Sequence, residues 1–234
     1  MQNYHIRAGQ VIGRDHLLRQ ANCQDSYALI EHEDYIIGII CDGCSQGERS
    51  EVGAMLGAEY LSRRAAQLLE EGHNAHDLPE CLYQDTLSFL ENLCALMPDL
   101  QRRIFVQKYL LFTVVGVIIH HETSVLFTAG DGLLVIDDFK TMIDQKNEPT
   151  YLAYHLVKGH LPPAYQLPTG FECQTLAKNW QRLAIGSDGF ELDLVSELWG
   201  QSHPRGLQRK LNYWSNQERR FKDDTTLIVI EKGN

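Results

Sequence analysis

The stretch YIIGIICDGCSQGERSEVGA, residues 35–54, changes character within two residues. From Tyr35 to Cys41 every position is apolar or aromatic except one glycine, which reads as a buried strand. Asp42 and Gly43 follow at once, and a helical pattern opens at Ser50. A bare carboxylate ending such a strand calls for a partner. Glycine after it lets the backbone turn tightly and brings its carbonyl close to the same ligand.

The junction recurs. VLFTAGDG (125–132) places Asp131 before Gly132, and RLAIGSDG (182–189) places Asp188 before Gly189. Asp-Gly is also a favoured turn pair, and Val125–Ile136 is expected to fold back on itself there as a hairpin. KDDTTLIVI (222–230) reverses the order, with Asp223 and Asp224 at a strand entry. The start of one antiparallel strand lies beside the end of its neighbour, so Asp42, Asp188 and Asp223 are expected to meet at one sheet edge. Carboxylates gathered in this way raise one another's pKa. Hard divalent cations such as Mg²⁺ or Mn²⁺, which prefer oxygen ligands, relieve that repulsion.

Working outward, strand-like runs occur at Leu111–Ile119, Val125–Thr128, Leu133–Ile136, Leu183–Ile185 and Thr226–Ile230. A first helix is expected from an N-cap at Ser50 to a stop at Gly72, and a second from DLPE, with Asp77 as cap, to about Met97. Shorter helices are expected over Leu192–Trp199 and Pro204–Tyr213. The order is mixed α and β without the strict alternation of a doubly wound sheet. A chain of 234 residues fits a single domain, with a polar, proline-bearing segment at about 137–181 expected to form a surface flap.

A net charge of -10 argues against a nucleic-acid binder, which needs a basic surface. The longest apolar run, YLLFTVVGVII (109–119), is too short to span a bilayer as a helix, and the first residues lack a signal-peptide core. A cytoplasmic protein without a membrane partner is expected. Of six cysteines only Cys41 and Cys44 form a C-x-x-C, without a second pair for zinc. A thiol redox pair is the minor reading of that motif.

NCQDSY (22–27), CDGCSQGERSEVGA (41–54), TAGDG (128–132), GSDGF (186–190) and DDTTLIVI (223–230) resemble, in order and spacing, the motifs of the PPM-type metal-dependent protein phosphatases. This is the phosphatase 2C-like family, and the resemblance is strongest to its compact bacterial members. It implies an α+β fold, a four-layer α-β-β-α sandwich of two antiparallel sheets flanked by helix pairs. It also implies two Mn²⁺ or Mg²⁺ ions held by Asp42, the Gly43 carbonyl, Asp188 and Asp223, with a third position at Asp131 and Asp188. Asp25 would hold metal-bound waters, with Gln24 where a glutamate often stands, and Asp224 would orient its neighbours. The implied activity is hydrolysis of phosphoserine and phosphothreonine by a metal-bridged hydroxide, on a phosphoprotein substrate paired with a Ser/Thr kinase system.

Two positions depart from the pattern. Gln20 stands where many members carry a phosphate-gripping arginine, which makes nearby Arg19 and His16 the candidates for phosphate binding, with Arg14 further back. Cys44 stands where eukaryotic members place a histidine as general acid, and an unperturbed thiol is a poor donor to an alkoxide at neutral pH. His16 is therefore also a catalytic candidate. The competing function is a catalytically silent binding or scaffold module of the same fold.

Overall fold

The computed structural model describes residues 3–97, 99–145, 149–162, 165–200 and 203–233. Parts of the expected flap, at 146–148 and 163–164, lie outside the described residues.

The apolar run at residues 35–41 forms strand β3 (Tyr35–Asp42). Its neighbours are β2 (Asp25–Glu31) and β4 (Val114–His120), followed by β5 (Thr123–Ala129) and the edge strand β8 (Glu172–Thr175), all antiparallel. The second sheet runs β1–β10–β9–β6–β7, comprising Tyr4–Val11, Thr225–Lys232, Arg182–Gly186, Gly132–Ile136 and Phe139–Ile143 in that order. The lack of alternation in β3 has a direct cause. Ile37, Ile39 and Cys41 point into a core beneath helices, while Ile36 and Ile40 enter the core between the sheets beside Val115, Val117, Ile185 and Ile228. A strand covered on both faces has no polar side to display.

Helices α1 (Arg14–Arg19), α2 (Ser50–Glu70), α3 (Leu78–Ala95), α4 (Asp99–Phe105) and α5 (Gly206–Asn216) complete the layers. Ala54, Ala58, Leu61 and Ala65 of α2, with Leu78, Leu82 and Leu90 of α3, cover the β3 sheet. Leu207, Leu211 and Trp214 of α5 cover the other sheet against Leu133, Ala184, Leu227 and Val229. The four-layer sandwich expected from the resemblance is the fold observed.

Local expectations need correction. β5 and β6 do not pair as a hairpin: β4 and β8 occupy both edges of β5, so the chain at Asp131 crosses to the other sheet, where β6 pairs with β7 and β9. Ser50 is the first helical residue, and its hydroxyl donates to the Cys44 carbonyl at 2.9 Å. Asp77 makes no cap bond, and α3 ends at Ala95. Leu192–Glu197 is a 3-10 helix, and α5 begins at Gly206, leaving Pro204 in the preceding turn. Leu111–Thr113 precede β4 and follow the Asp42 loop instead, the Cys44 and Thr113 amides donating to the Leu111 and Asp42 carbonyls at 2.9 and 2.8 Å. Segment 137–181 supplies edge strands β7 and β8 and a 3-10 helix over Leu152–His160.

Candidate metal centre

β3 ends where β9 ends and β10 begins, at the same end of the sandwich. The first register pair of β2 with β3 sets Asp25 opposite Asp42. Around these carboxylates opens a cleft of about 610 Å³ lined by Asp42, Gly43, Asp131, Asp188 and Asp223 among others. Asp42 and Asp25 come from one sheet, Asp188 and Asp223 flank strands of the other, and Asp131 lies on the crossover.

The glycines act by close approach. A Cβ on Gly43 would stand 2.8 Å from both the Gln24 carbonyl and the Ser50 hydroxyl, and one on Gly189 would stand 2.0 Å from the Asp224 carbonyl. Each is below the spacing that heavy atoms tolerate, so a side chain there would push the acidic residues apart.

The electrostatics ask for cations. Burial pushes the Asp42 carboxyl well above its usual range, and Asp25, Asp188 and Asp223 push it further. Asp188 is raised mainly by burial, against a contact with Asp42 that lowers it. Burial also raises Asp25, to about 7, against the pull of the Ser187 hydroxyl. Ser187 donates to Asp25 Oδ2 at 2.7 Å, whereas Asp25 Oδ1 is buried without a hydrogen-bond partner. Buried carboxylates with an orphaned oxygen and an all-oxygen donor set fit a hard divalent cation. Among the described lining residues none is Lys, Arg or His.

His16 and Asp224 form a buried unit beside this cleft. Asp224 Oδ2 accepts from His16 Nδ1 at 2.7 Å and from the Gln24 amide at 2.5 Å, while Oδ1 accepts from the Gly13 amide at 2.7 Å. His16 Nδ1 also lies 3.9 Å from Asp223 Oδ1. Gln24 Nε2 donates to the Gly47 carbonyl at 3.1 Å and so holds the loop after Asp42. Arg19 is exposed at the end of α1, and neither it nor His16 lines the cleft. The structure thus gathers the five metal candidates in one cleft, with Asp25 and Gln24 behind, His16 buried beside Asp223 and Asp224, and Arg19 outside.

Sequence reasoning gave no role to three groups found here. Ser187 sits inside the quoted GSDGF, and its place before Asp188 was the available signal. Asp144, just past β7, adds its charge to both Asp131 and Asp188, and the neighbouring Gln145 amide donates to Asp131 Oδ1 at 2.6 Å. Tyr151, Tyr154 and Tyr165 form one wall of the cleft. No motif marks Asp144 or the tyrosines.

A pH dependence follows for protein kept free of metal by chelator. Raised folded-state carboxyl pKa values give stability that is present below the unfolded value near 4. That stability is lost as pH rises through the folded value of about 7. Thermal melts are expected to show this contribution falling from pH 5 to pH 8, and Asp25→Asn is expected to flatten the slope.

The candidate site is an acid-lined cleft at one end of a double-sheet sandwich. A family model described as Protein phosphatase 2C matches residues 12–220, and the chain belongs to that family. The fold is shared with the Staphylococcus aureus serine/threonine phosphatase Stp1, at 13% identity and TM-score 0.65 over 100% of this chain and 96% of that one. PppA of Pseudomonas aeruginosa is 15% identical with TM-score 0.67, covering 98% of each chain. RsbX in complex with magnesium is 15% identical with TM-score 0.56, covering 100% of this chain and 98% of that one. No curated protein matches the chain by sequence.

Proposed function

We propose that this chain is a metal-dependent protein serine/threonine phosphatase acting on phosphoserine and phosphothreonine. The observation that carries the reading is the convergence of Asp42, Asp131, Asp188 and Asp223, from both sheets and their crossover, on one cleft. Asp42, the Gly43 carbonyl, Asp188 and Asp223 would hold two Mn²⁺ or Mg²⁺ ions, with Asp131 and Asp188, beside Asp144, at a third position. Bound there, such ions polarise phosphoryl oxygens and lower the pKa of water to supply a nucleophile.

The chain's own groups set that centre up. Ser187 fixes the orientation of Asp25, and Gln24 ties the Asp42 loop at Gly47. Asp224 accepts the His16 Nδ1 proton and leaves Nε2 as the ring's remaining proton-handling atom. Among the described lining residues, hydroxyl and amide groups stand beside the carboxylates and would share phosphate recognition with the ions.

A substrate phosphoprotein with an opposing Ser/Thr kinase, a signalling role in the cytoplasm and a substrate-facing flap at about 137–181 belong to the same proposal. Among the described residues no helix is long and apolar enough to cross a membrane.

The test is hydrolysis of p-nitrophenyl phosphate and a phosphoserine peptide with Mn²⁺, with Mg²⁺ and with chelator, beside Asp188→Asn checked for folding. Metal-dependent turnover lost in the variant is the expected result. Folded, metal-loaded protein that hydrolyses neither compound would overturn it in favour of the binding module.

A further inference from the structure

At the end of the β3 sheet opposite the cleft, two turns lie side by side. His32, Glu33 and Asp34 join β2 to β3, and His121 and Glu122 join β4 to β5. The His121 amide donates to the Asp34 carbonyl at 3.4 Å and ties one turn to the other. Strand β3, rising about 3.3 Å per residue, sets these turns about 23 Å from Asp42.

The first turn gathers ligand atoms. A ring nitrogen of His32 and one oxygen each from Glu33 and Asp34 lie within 4.8 Å of one another. His32 Nδ1 stands 3.8 Å from Asp34 Oδ2. Two bonds of about 2.0–2.2 Å to a single ion span that separation. The Asp34 amide donates to His32 Nδ1 at 3.2 Å, so this nitrogen carries the lone pair that a metal needs. A bound ion would take that lone pair from the amide.

The imidazole is placed in advance. The His32 amide donates to the Tyr35 carbonyl at 2.9 Å, and its ring stacks on the Tyr35 ring with centroids 4.6 Å apart at 22°. Tyr35 is itself buried, and its hydroxyl donates to Glu70 of α2 at 2.9 Å. Opposite Tyr35 in register, and so on the same face of the sheet, stands His120, whose ring meets that of His121 at 4.1 Å. Burial and then His121 hold the His120 imidazole below its usual value against the charge of Asp34, which reaches it from the neighbouring turn.

The donor set decides the ion. Carboxylates alone would take a hard cation, as at the cleft. Imidazole nitrogen beside carboxylate oxygen suits a borderline one such as Zn²⁺.

We propose that the turn between β2 and β3 is a second metal site, where His32, Glu33 and Asp34 bind one Zn²⁺, with His120 beside them for the fourth position. The site is independent of the phosphatase reading, and either can fail without the other.

The test is equilibrium dialysis of the full chain, carrying no histidine tag, against Zn²⁺, beside His32→Phe and Asp34→Asn. His32→Phe keeps a ring on Tyr35 while removing the ligating nitrogen, and melts in chelator check that both variants fold. Wild type is expected to retain one more Zn²⁺ per chain than His32→Phe. Ions held in the cleft or on thiols cancel in that difference. Asp34→Asn is expected to weaken the same ion about tenfold. In wild type, proton–nitrogen correlation spectra of the imidazoles are expected to show the His32 ring signal moving with Zn²⁺ and standing still with Mg²⁺. Equal zinc content in wild type and His32→Phe would overturn the proposal. So would a His32 signal that Mg²⁺ moves as far as Zn²⁺ does, or that neither moves. The spectra need no variant, so they decide the question where a substitution disturbs the fold.

Discussion

Asp42→Asn is expected to reduce Mn²⁺-dependent phosphatase turnover about 10³-fold while raising the melting temperature of the chelated protein. The two effects have one origin. Asp42 stands opposite Asp25 in register and contacts Asp188, and its ionised form is disfavoured by burial and by Asp25, Asp188 and Asp223. A neutral amide removes one charge from that cluster and so relieves the metal-free fold. Under the proposed function it would also remove an anionic metal ligand, and losing several kcal/mol of charge stabilisation, about 1.4 kcal/mol per tenfold, gives a deficit of this size. Melts with and without Mn²⁺, run beside steady-state kinetics, check both halves. A variant less stable than wild type in chelator would refute the account of the cluster. Full activity would refute the role of Asp42.

Asp224→Ala is expected to cost about 3–5 kcal/mol of stability, the largest effect on folding among the site residues. Asp224 is 3% exposed and accepts hydrogen bonds from the Gly13 and Gln24 amides and from His16. Alanine leaves two buried N–H groups and an imidazole without an acceptor, and it unties the starts of α1, β2 and β10 from one another. Asp224→Asn retains one carbonyl oxygen and should cost less. Urea unfolding midpoints with unchanged m-values provide the measurement. Equal midpoints for wild type and Asp224→Ala would show that these bonds do not hold the three elements.

The central strands and the acidic strand ends were legible in the sequence because a doubly covered strand must be apolar throughout, and its abrupt end at Asp42 could not be packing. The edge strands were not. β8 is exposed at all four positions and β7 at its first three, so neither carries an apolar period. β1 hides behind a buried charge: Arg7, 3% exposed and paired with Glu231, breaks the alternation expected of a half-buried strand. β2 was not read as a strand: the motif around Asp25 marked only the residue, and its place depends on register with β3, which no local pattern specifies.

The expected hairpin at Asp131 failed for a related reason. Turn chemistry fixes where a chain bends, and the occupied edges of β5 decide which sheet it bends toward. The acidic centre could be read because each ligand carries its own glycine or strand signal. Asp144 and the cleft tyrosines lie in the segment with the fewest such signals: Asp144 follows β7, and Tyr151 and Tyr154 reach the cleft where the 3-10 helix begins.

The sandwich is built like a clothes-peg. At one end Trp180, 2% exposed, donates from Nε1 to the Ser124 hydroxyl at 3.2 Å, with the Tyr4 ring stacked at 6.0 Å and Lys232 Nζ 4.3 Å from its ring centroid. That end is pinned by these contacts. At the other end the jaws carry Asp25 and Asp42 on one sheet, Asp188 and Asp223 on the other, with Ser187 to Asp25 as a catch between them. Like charges press the jaws apart, and a cation bound there would act as the spring. Under the proposed function, loading the centre and clamping the fold would be one mechanical event, with the supply of divalent ions setting how firmly the peg is shut.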